Sequence, residues 1–240
     1  MKKIIIFILR TNIFIFSYFL YLLNLVFIYL NLKNISKYFF IYAAYFCSLS
    51  LGLSYNLNNE LKSKLNEKGI HISNHDHPFD IFIAQCIFRI PTITTVDKHL
   101  NKILPFFENS LRNFGHFSFN HLSEKERKTA YVFLKNICHQ QKSVLIYPSG
   151  SIYTSIKNRF SRSISKLSKQ NNLNVIAWRF YYENKNGEKY FNEEDILKFV
   201  LKRFSSNKIQ VNLKEVKTFT PNDFTSEKKY HDKIRSFYNN

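Results

Sequence analysis

The 240-residue chain has few of the residues that mark disulfide scaffolds and flexible linkers, with only 5 Gly, 5 Pro and 3 Cys. The three cysteines, Cys47, Cys86 and Cys138, are widely spaced and odd in number, so they indicate neither a disulfide framework nor a C-x-x-C metal pair. This cysteine usage favours a reducing compartment. We expect Cys86 and Cys138 to be buried thiols, because a free cysteine behaves as a small hydrophobic residue.

Two kinds of catalytic loop are also missing from the sequence. It contains no glycine-rich phosphate loop and no G-x-S-x-G elbow, which disfavours a nucleotide-binding enzyme and a serine hydrolase. Acidic residues are scarce: the chain has 17 Asp and Glu against 35 Lys and Arg, which gives a formal net charge of +18. A basic surface attracts anionic lipid headgroups, phosphorylated substrates, acidic carrier proteins or nucleic acid. The charge is spread along the chain without a nucleic-acid-binding motif, so we expect no nucleic-acid partner.

The N-terminal quarter of the chain carries two long uncharged, apolar runs. They cover residues 11–32 and 38–59, and the apolar part of the second ends near Leu53. Lys33 and Lys37 lie between the two runs. The first run is close to the ~20 residues that cross a bilayer, and no small-residue signal-peptide cleavage site follows it. It could be a spanning helix followed by a surface helix, or the first arm of a hairpin that dips into one leaflet. The two lysines favour the hairpin. We predict membrane-associated helices over residues 1–55, at the cytoplasmic face of the membrane, and a catalytic domain over residues 56–240.

Beyond residue 55 the pattern alternates between short apolar strands and amphipathic helices. Ser123 and Glu126, for example, form a capping box that begins a helix. This alternation predicts an α/β domain with a mixed, partly parallel sheet flanked by helices. We expect strands over residues 69–73, 92–96, 115–120, 144–147, 174–182 and 208–216. We expect helices over residues 58–67, 78–88, 98–113 with an interruption at Pro105, 124–140, 158–169, 192–204 and 225–238.

The first candidate site is the turn that follows the strand at residues 69–73. His75 lies in this turn, and Asp80 falls in the first turn of a helix that begins near Pro78. A carboxylate at that place can fix the tautomer and orientation of the imidazole, which is the arrangement a general base needs.

A metal site is the alternative for the same segment. Its ligand-type residues are His71, His75, Asp76, His77 and Asp80. No second cluster of comparable density accompanies them, so we expect no metal. His71 is then a half-buried strand residue and His77 a polar turn residue.

Three more polar clusters fall at strand ends, where α/β sheets place their sites. They are Asp97-Lys98-His99, Asn120-His121, and the run from Tyr147 through Pro148, Ser149 and Gly150 to Ser151.

In this order the clusters resemble the blocks of the glycerolipid acyltransferase family, which includes 1-acylglycerol-3-phosphate and glycerol-3-phosphate acyltransferases. The Asn-His-x-x-x-x-Asp block is intact at Asn74, His75 and Asp80. The downstream blocks are Lys98, Leu104-Pro105-Phe106, the strand that begins at Gly115, and Tyr147 to Ser151. The chain departs from the family at His121 in place of Arg, at Ser149 in place of Glu, and at Ala177 in place of Pro.

The resemblance implies a membrane-bound O-acyltransferase with a direct mechanism. His75 would take the proton from an acceptor hydroxyl as that oxygen attacks the thioester of acyl-CoA or an acyl carrier protein, and Asp80 would orient His75. The acceptor implied is a lysophosphatidic acid-like glycerophospholipid precursor. Oxyanion or acceptor binding falls to Ser149, Gly150 and Ser151, and phosphate binding to Lys98, His121 and Arg159. The partners are membrane lipids and the acyl donor, and we expect no further cofactor.

Two other functions stay open at this point. The altered second and third blocks leave room for an inactive, basic membrane-binding protein. The acceptor could also lie outside glycerolipids, as in a glycolipid, a lipid A-like sugar or an ornithine lipid.

Overall fold

The computed structural model describes residues 2–56, 63–75, 80, 84, 86–87, 93–97, 106–120, 123–150, 160–183, 196–206 and 208–239. The chain forms two compact units. The first comprises residues 1–56, 77–90 and 181–213. The second comprises residues 57–76, 91–180 and 214–240.

From Ile93 onwards the described strands and helices alternate along the chain. The helices are α1 (Lys2–Tyr29), α2 (Lys33–Ser50), α3 (Phe107–Asn113), α4 (Glu124–His139), α5 (Ser163–Asn171), α6 (Ile196–Ser205) and α7 (Glu227–Ser236). The strands are β1 (Leu53–Asn56), β2 (Ile70–Ser73), β3 (Ile93–Asp97), β4 (Phe117–Phe119), β5 (Val144–Ile146), β6 (Val175–Glu183) and β7 (Ile209–Phe219).

Parallel strands organise the second unit, where β6, β2, β5, β3 and β4 lie side by side in that order, with β7 next to β6. Strand β2 pairs in parallel with both β5 and β6, so that Ile70 lies opposite Val144 on one side and Val175 on the other. Strand β3 pairs in parallel with β5 and β4. The predicted α/β class, a mixed and mostly parallel sheet flanked by helices, is confirmed. Because these strands are parallel, their carboxyl ends meet at one edge of the sheet.

The core of this unit packs against one face of the sheet. Ile70 and Ile72 are fully buried there with the alternate residues of β5 and β6 and with side chains of α4, α5 and α7. All four residues of β2 are buried, as expected where both faces of a parallel sheet are covered. His71, predicted to be half-buried, is therefore wholly buried.

In the first unit, α1 and α2 form an antiparallel helical hairpin. The Ser17 hydroxyl donates to the Ala43 carbonyl over 2.7 Å, and the Ser36 hydroxyl donates to Asn24 Oδ1 over 2.9 Å. Residues with higher numbers in α1 therefore contact residues with lower numbers in α2, which means that the two helices run in opposite directions. Among the described residues, α1 is the one helix that is long and apolar enough to cross a membrane, judged by length and composition.

Two buried arginines join the hairpin to the rest of the first unit. Arg10 of α1 donates through Nη1 to the carbonyls of Arg203 and Ser206, over 2.7 and 2.6 Å, at the end of α6. Arg203 in turn donates to the Leu51 carbonyl that follows α2. Gly52 has a φ of +73°, and a Cβ there would collide with the Arg10 guanidinium. Each guanidinium thus donates to carbonyls near the end of a helix, where intrahelical donors run out.

Two short elements differ from the predictions. Strand β1 was not predicted, because it continues the apolar run of α2 and has only four residues. The helix predicted from residue 158 begins at Ser163. Phe160 packs instead against His231 and Tyr238, and the Ser161 N–H donates to the Pro148 carbonyl, so the chain is not helical there.

All three cysteines are free thiols. Cys47 and Cys138 are buried, and Cys86 is only half-buried, contrary to the prediction for Cys86.

The predicted helices over residues 58–67, 78–88 and 98–113 lie partly outside the described residues. The boundary predicted between residues 55 and 56 stays a prediction.

Candidate active site

His75 lies at the carboxyl edge of the parallel sheet, two residues after β2 ends. It is half-buried, and its ring stacks on that of Tyr147, with centroids 4.3 Å apart and planes inclined by 27°. Tyr147 directly follows β5, the parallel neighbour of β2. The parallel pairing thus brings the first and fourth of the predicted polar clusters together.

Asn74 fixes the chain immediately before His75. Its Nδ2 donates to the Phe180 carbonyl over 2.7 Å, and its Oδ1 accepts from the Phe180 N–H over 2.8 Å. Asn74 is itself buried, at 6% exposure. The amide therefore ties the end of β2 to β6, a role that sequence reasoning did not assign to this residue.

The segment from Tyr147 to Gly150 is a tight turn beside the histidine. The Gly150 N–H donates to the Tyr147 carbonyl over 3.0 Å. Gly150 has a φ of +68°, a conformation that favours glycine, and a Cβ there would meet open space. Ser149 is buried, whereas Gly150 is exposed. The Gly150 N–H is thus engaged inside the turn, and the turn presents open space at Gly150.

Among the remaining predicted site residues, Asp80 belongs to the part of the chain that the structure describes. Asp80 is helical and buried, at 5% exposure, and its pairing with His75 stays a prediction. Lys98, His121, Ser151 and Arg159 lie outside the described residues.

Earlier along β2, His71 and Trp178 form a buried hydrogen bond that joins β2 to β6. Trp178 Nε1–H donates to His71 Nδ1 over 3.0 Å, and His71 Nε2–H donates to the Glu67 carbonyl over 3.0 Å. Both ring nitrogens are satisfied only in the neutral imidazole. Burial lowers the pKa of His71 to about 4, which keeps it neutral. The Tyr238 hydroxyl lies 3.1 Å from the carbonyls of both Ile72 and Trp178.

His116 is a second buried, neutral histidine, and it precedes β4. The Thr94 N–H donates to its Nδ1 over 3.1 Å, and burial lowers its pKa to about 4. Its Nε2 has no hydrogen-bond partner among the described residues. These contacts join β3 to β4 and give His116 a structural role.

Within the described part of the chain, no three His, Cys, Asp or Glu side chains form a group that could hold a metal ion. Asp76 and His77, which belong to the metal alternative, lie outside that part. The expectation of no metal therefore stays a prediction.

Together these features define a class: an α/β enzyme with a histidine at the carboxyl edge of a parallel sheet, beside a Pro-Ser-Gly turn. A family model described as Acyltransferase matches residues 54–180, more than half of the chain. The chain belongs to the acyltransferase family. The predicted resemblance and the prediction of an O-acyltransferase are confirmed.

Among solved structures, the chain is similar to the crystal structure of the 1-acyl-sn-glycerophosphate (LPA) acyltransferase PlsC from Thermotoga maritima. The two share 13% sequence identity with a TM-score of 0.54, over 96% of this chain and 93% of that chain. At this identity the similarity shows the fold. No curated protein matches the sequence.

Proposed function

We propose that the chain is a membrane-bound acyltransferase that moves a fatty acyl group from acyl-CoA or an acyl carrier protein to a hydroxyl of a lysophosphatidic acid-like acceptor. The observation that carries this proposal is the placement of His75 beside Tyr147 at the carboxyl edge of the sheet, in a chain of this family. The similar solved structure is that of an LPA acyltransferase, which supports an acceptor of that type.

In the proposed mechanism, His75 takes the proton of the acceptor hydroxyl as its oxygen attacks the thioester carbon. The new C–O bond forms and the C–S bond breaks, and the departing thiolate takes the proton back from His75. Asp80 would orient the ring and stabilise the imidazolium. A positioned base of this kind contributes about 10²–10⁴-fold to the rate.

The tetrahedral oxyanion needs donors that are preorganised around it. Because the Gly150 N–H donates to Tyr147, the proposed donors are the N–H of Ser151 and the N–H or hydroxyl of Ser149. Gly150 then serves by leaving space for the substrate. Lys98, His121 and Arg159 are the proposed contacts of the acceptor phosphate.

The helical hairpin is the proposed membrane anchor. Along α1, large apolar side chains are exposed, including Ile8, Ile15, Phe16, Phe19, Leu22 and Val26. A contiguous apolar surface of this kind marks a membrane or protein interaction site. The net charge of +18 would add attraction to the anionic lipids of a cytoplasmic leaflet.

The proposal is tested by incubating membranes that contain the protein with acyl-CoA and acyl-carrier donors and a panel of hydroxyl acceptors, and identifying products by mass. We expect an acylated lysophosphatidic acid-type product that disappears with His75→Ala. His139→Ala is the matched control, because His139 is an exposed histidine at the end of α4. Transfer only to a glycolipid or another non-glycerolipid acceptor would correct the substrate class. Absence of transfer from every donor would favour the inactive membrane-binding alternative.

A further inference from the structure

The side chain of Asn74 continues the sheet beyond the point where the backbone of β2 leaves it. The last backbone pairing between β2 and β6 places Ser73 opposite Trp178. At the next step the Asn74 amide, instead of a peptide group, donates to the Phe180 carbonyl and accepts from the Phe180 N–H. A carboxamide offers the same donor and acceptor as a peptide unit, so it replaces one step of the ladder.

Because the side-chain amide takes the place of a peptide group, the backbone can leave β6 after residue 74 while the end of β2 stays bonded to it. Residue 74 stays fixed to β6 while the chain is free to turn, and His75 is the first residue of the turn. On its other side the imidazole stacks on Tyr147, which follows β5. The turn after Tyr147 is held in its own right, because the Pro148 carbonyl accepts from the Ser161 N–H over 3.1 Å.

The geometry points to Asn74 and Tyr147 as two further positioning residues of His75 beside Asp80, one fixing its backbone and the other the face of its ring. This inference rests on the proposed function, in which His75 is the base. An imidazole on a turn would otherwise sample several rotamers, and a misplacement of about 1 Å at a reacting group can cost about 100-fold in rate.

The residue types at both positions follow from these contacts. Asp at position 74 would keep the acceptor for the Phe180 N–H but lose the donor to the Phe180 carbonyl. Gln would carry the same amide one methylene too far. At position 147 the stack needs a flat aromatic face, which Phe supplies and Leu does not.

The test uses the full-length protein with ¹³C,¹⁵N-labelled histidine, in Asn74→Ala, Asn74→Ser, Tyr147→Leu and Tyr147→Phe variants. His75→Ala identifies the His75 ring signals by their loss. The stack on Tyr147 places the His75 ring protons over an aromatic face, so we expect them to be shifted upfield in the wild type. The signals of His71, whose ring packs on Trp178, report whether β2 and β6 remain paired.

We expect the upfield shift of His75 to be lost in Asn74→Ala, Asn74→Ser and Tyr147→Leu and kept in Tyr147→Phe, with the His71 signals unchanged. In acyl transfer, kcat should fall about 100-fold in the first three variants. The KM for the acyl donor should stay within about threefold, since the loss is specific to the transition state.

Wild-type His75 shifts and kcat in Asn74→Ala, or a wild-type kcat in Tyr147→Leu, would overturn the inference. Movement of the His71 signals in both Asn74 variants would also overturn it, because Asn74 would then hold the whole strand rather than His75. If the wild type transfers no acyl group, the proposed function fails, while the ring shifts still decide whether Asn74 and Tyr147 position His75.

Discussion

At the scale of single residues, His71 and His116 differ from His75 in how deeply they are buried. His71 is fully buried with both ring nitrogens bonded, and His116 is buried with one bonded, whereas His75 is half-buried at the sheet edge. Protonation of His71 would put an N–H against the Trp178 N–H. The first two histidines therefore stabilise the fold only while they are neutral.

Acid should destabilise the fold through these two buried histidines. In the folded protein the pKa of His71 is about 4, against about 6.5 in the unfolded chain. Between these values the unfolded state binds more protons, so the free energy of unfolding falls as the pH drops from 6.5 to 4 and levels off below. The loss is on the order of 3 kcal/mol for His71 and similar for His116.

Urea unfolding followed by the fluorescence of Trp178, the single tryptophan, measures this loss at several pH values. His71→Asn should be less stable at pH 7 but should lose less stability on acidification than the wild type. Equal pH slopes in the two proteins would contradict the assignment.

At the scale of elements, Arg10 is a buried polar link between α1 and the end of α6. Its guanidinium satisfies two carbonyls at the end of α6, at 6% exposure. Arg10→Met keeps much of the apolar length but removes the buried donor from both carbonyls, and the Arg203 carbonyl then keeps only the Ser206 N–H. We expect a loss of about 3 kcal/mol in the free energy of unfolding.

Arg112→Met is the control for this measurement. Arg112 lies on the exposed face of α3 and pairs with Glu108 one turn earlier. Such a pair contributes at most about 0.5 kcal/mol. Chemical denaturation of both variants compares the two arginines, and equal losses would show that Arg10 does not join the helices.

The order of the elements can be predicted from the sequence, but their pairing cannot. The order of strands and helices follows from hydrophobic period and capping residues, as at Ser123, whose hydroxyl accepts from the Glu126 N–H. The neighbours of β2 do not follow, because pairing depends on contacts distant in sequence. The contacts of Asn74 with Phe180 and of His75 with Tyr147 depend on which strands are neighbours, so the sequence alone does not predict them. Phe160 was predicted to be helical, but its packing against His231 and Tyr238 outweighs the local helix propensity.

At the scale of the whole molecule, a basic α/β chain begins with an apolar helical hairpin. If α1 is the anchor, Ile15→Asn with Phe19→Asn should weaken binding to vesicles, because both side chains are more than half exposed. Val132→Asn is the matched control, since Val132 is 54% exposed on α4.

Vesicle flotation measures this binding. We expect the double variant to shift to the unbound fraction, and Val132→Asn to float like the wild type. Undiminished flotation of the double variant would remove α1 as the anchor.

His75 is the proposed base of an acyl transfer. Single-turnover transfer from a labelled acyl donor to lysophosphatidic acid, with His75→Ala compared to the wild type, tests this role most directly. We predict a rate lower by about 10²–10⁴-fold with unchanged donor affinity and vesicle binding. A His75→Ala rate within a few-fold of the wild type would contradict it.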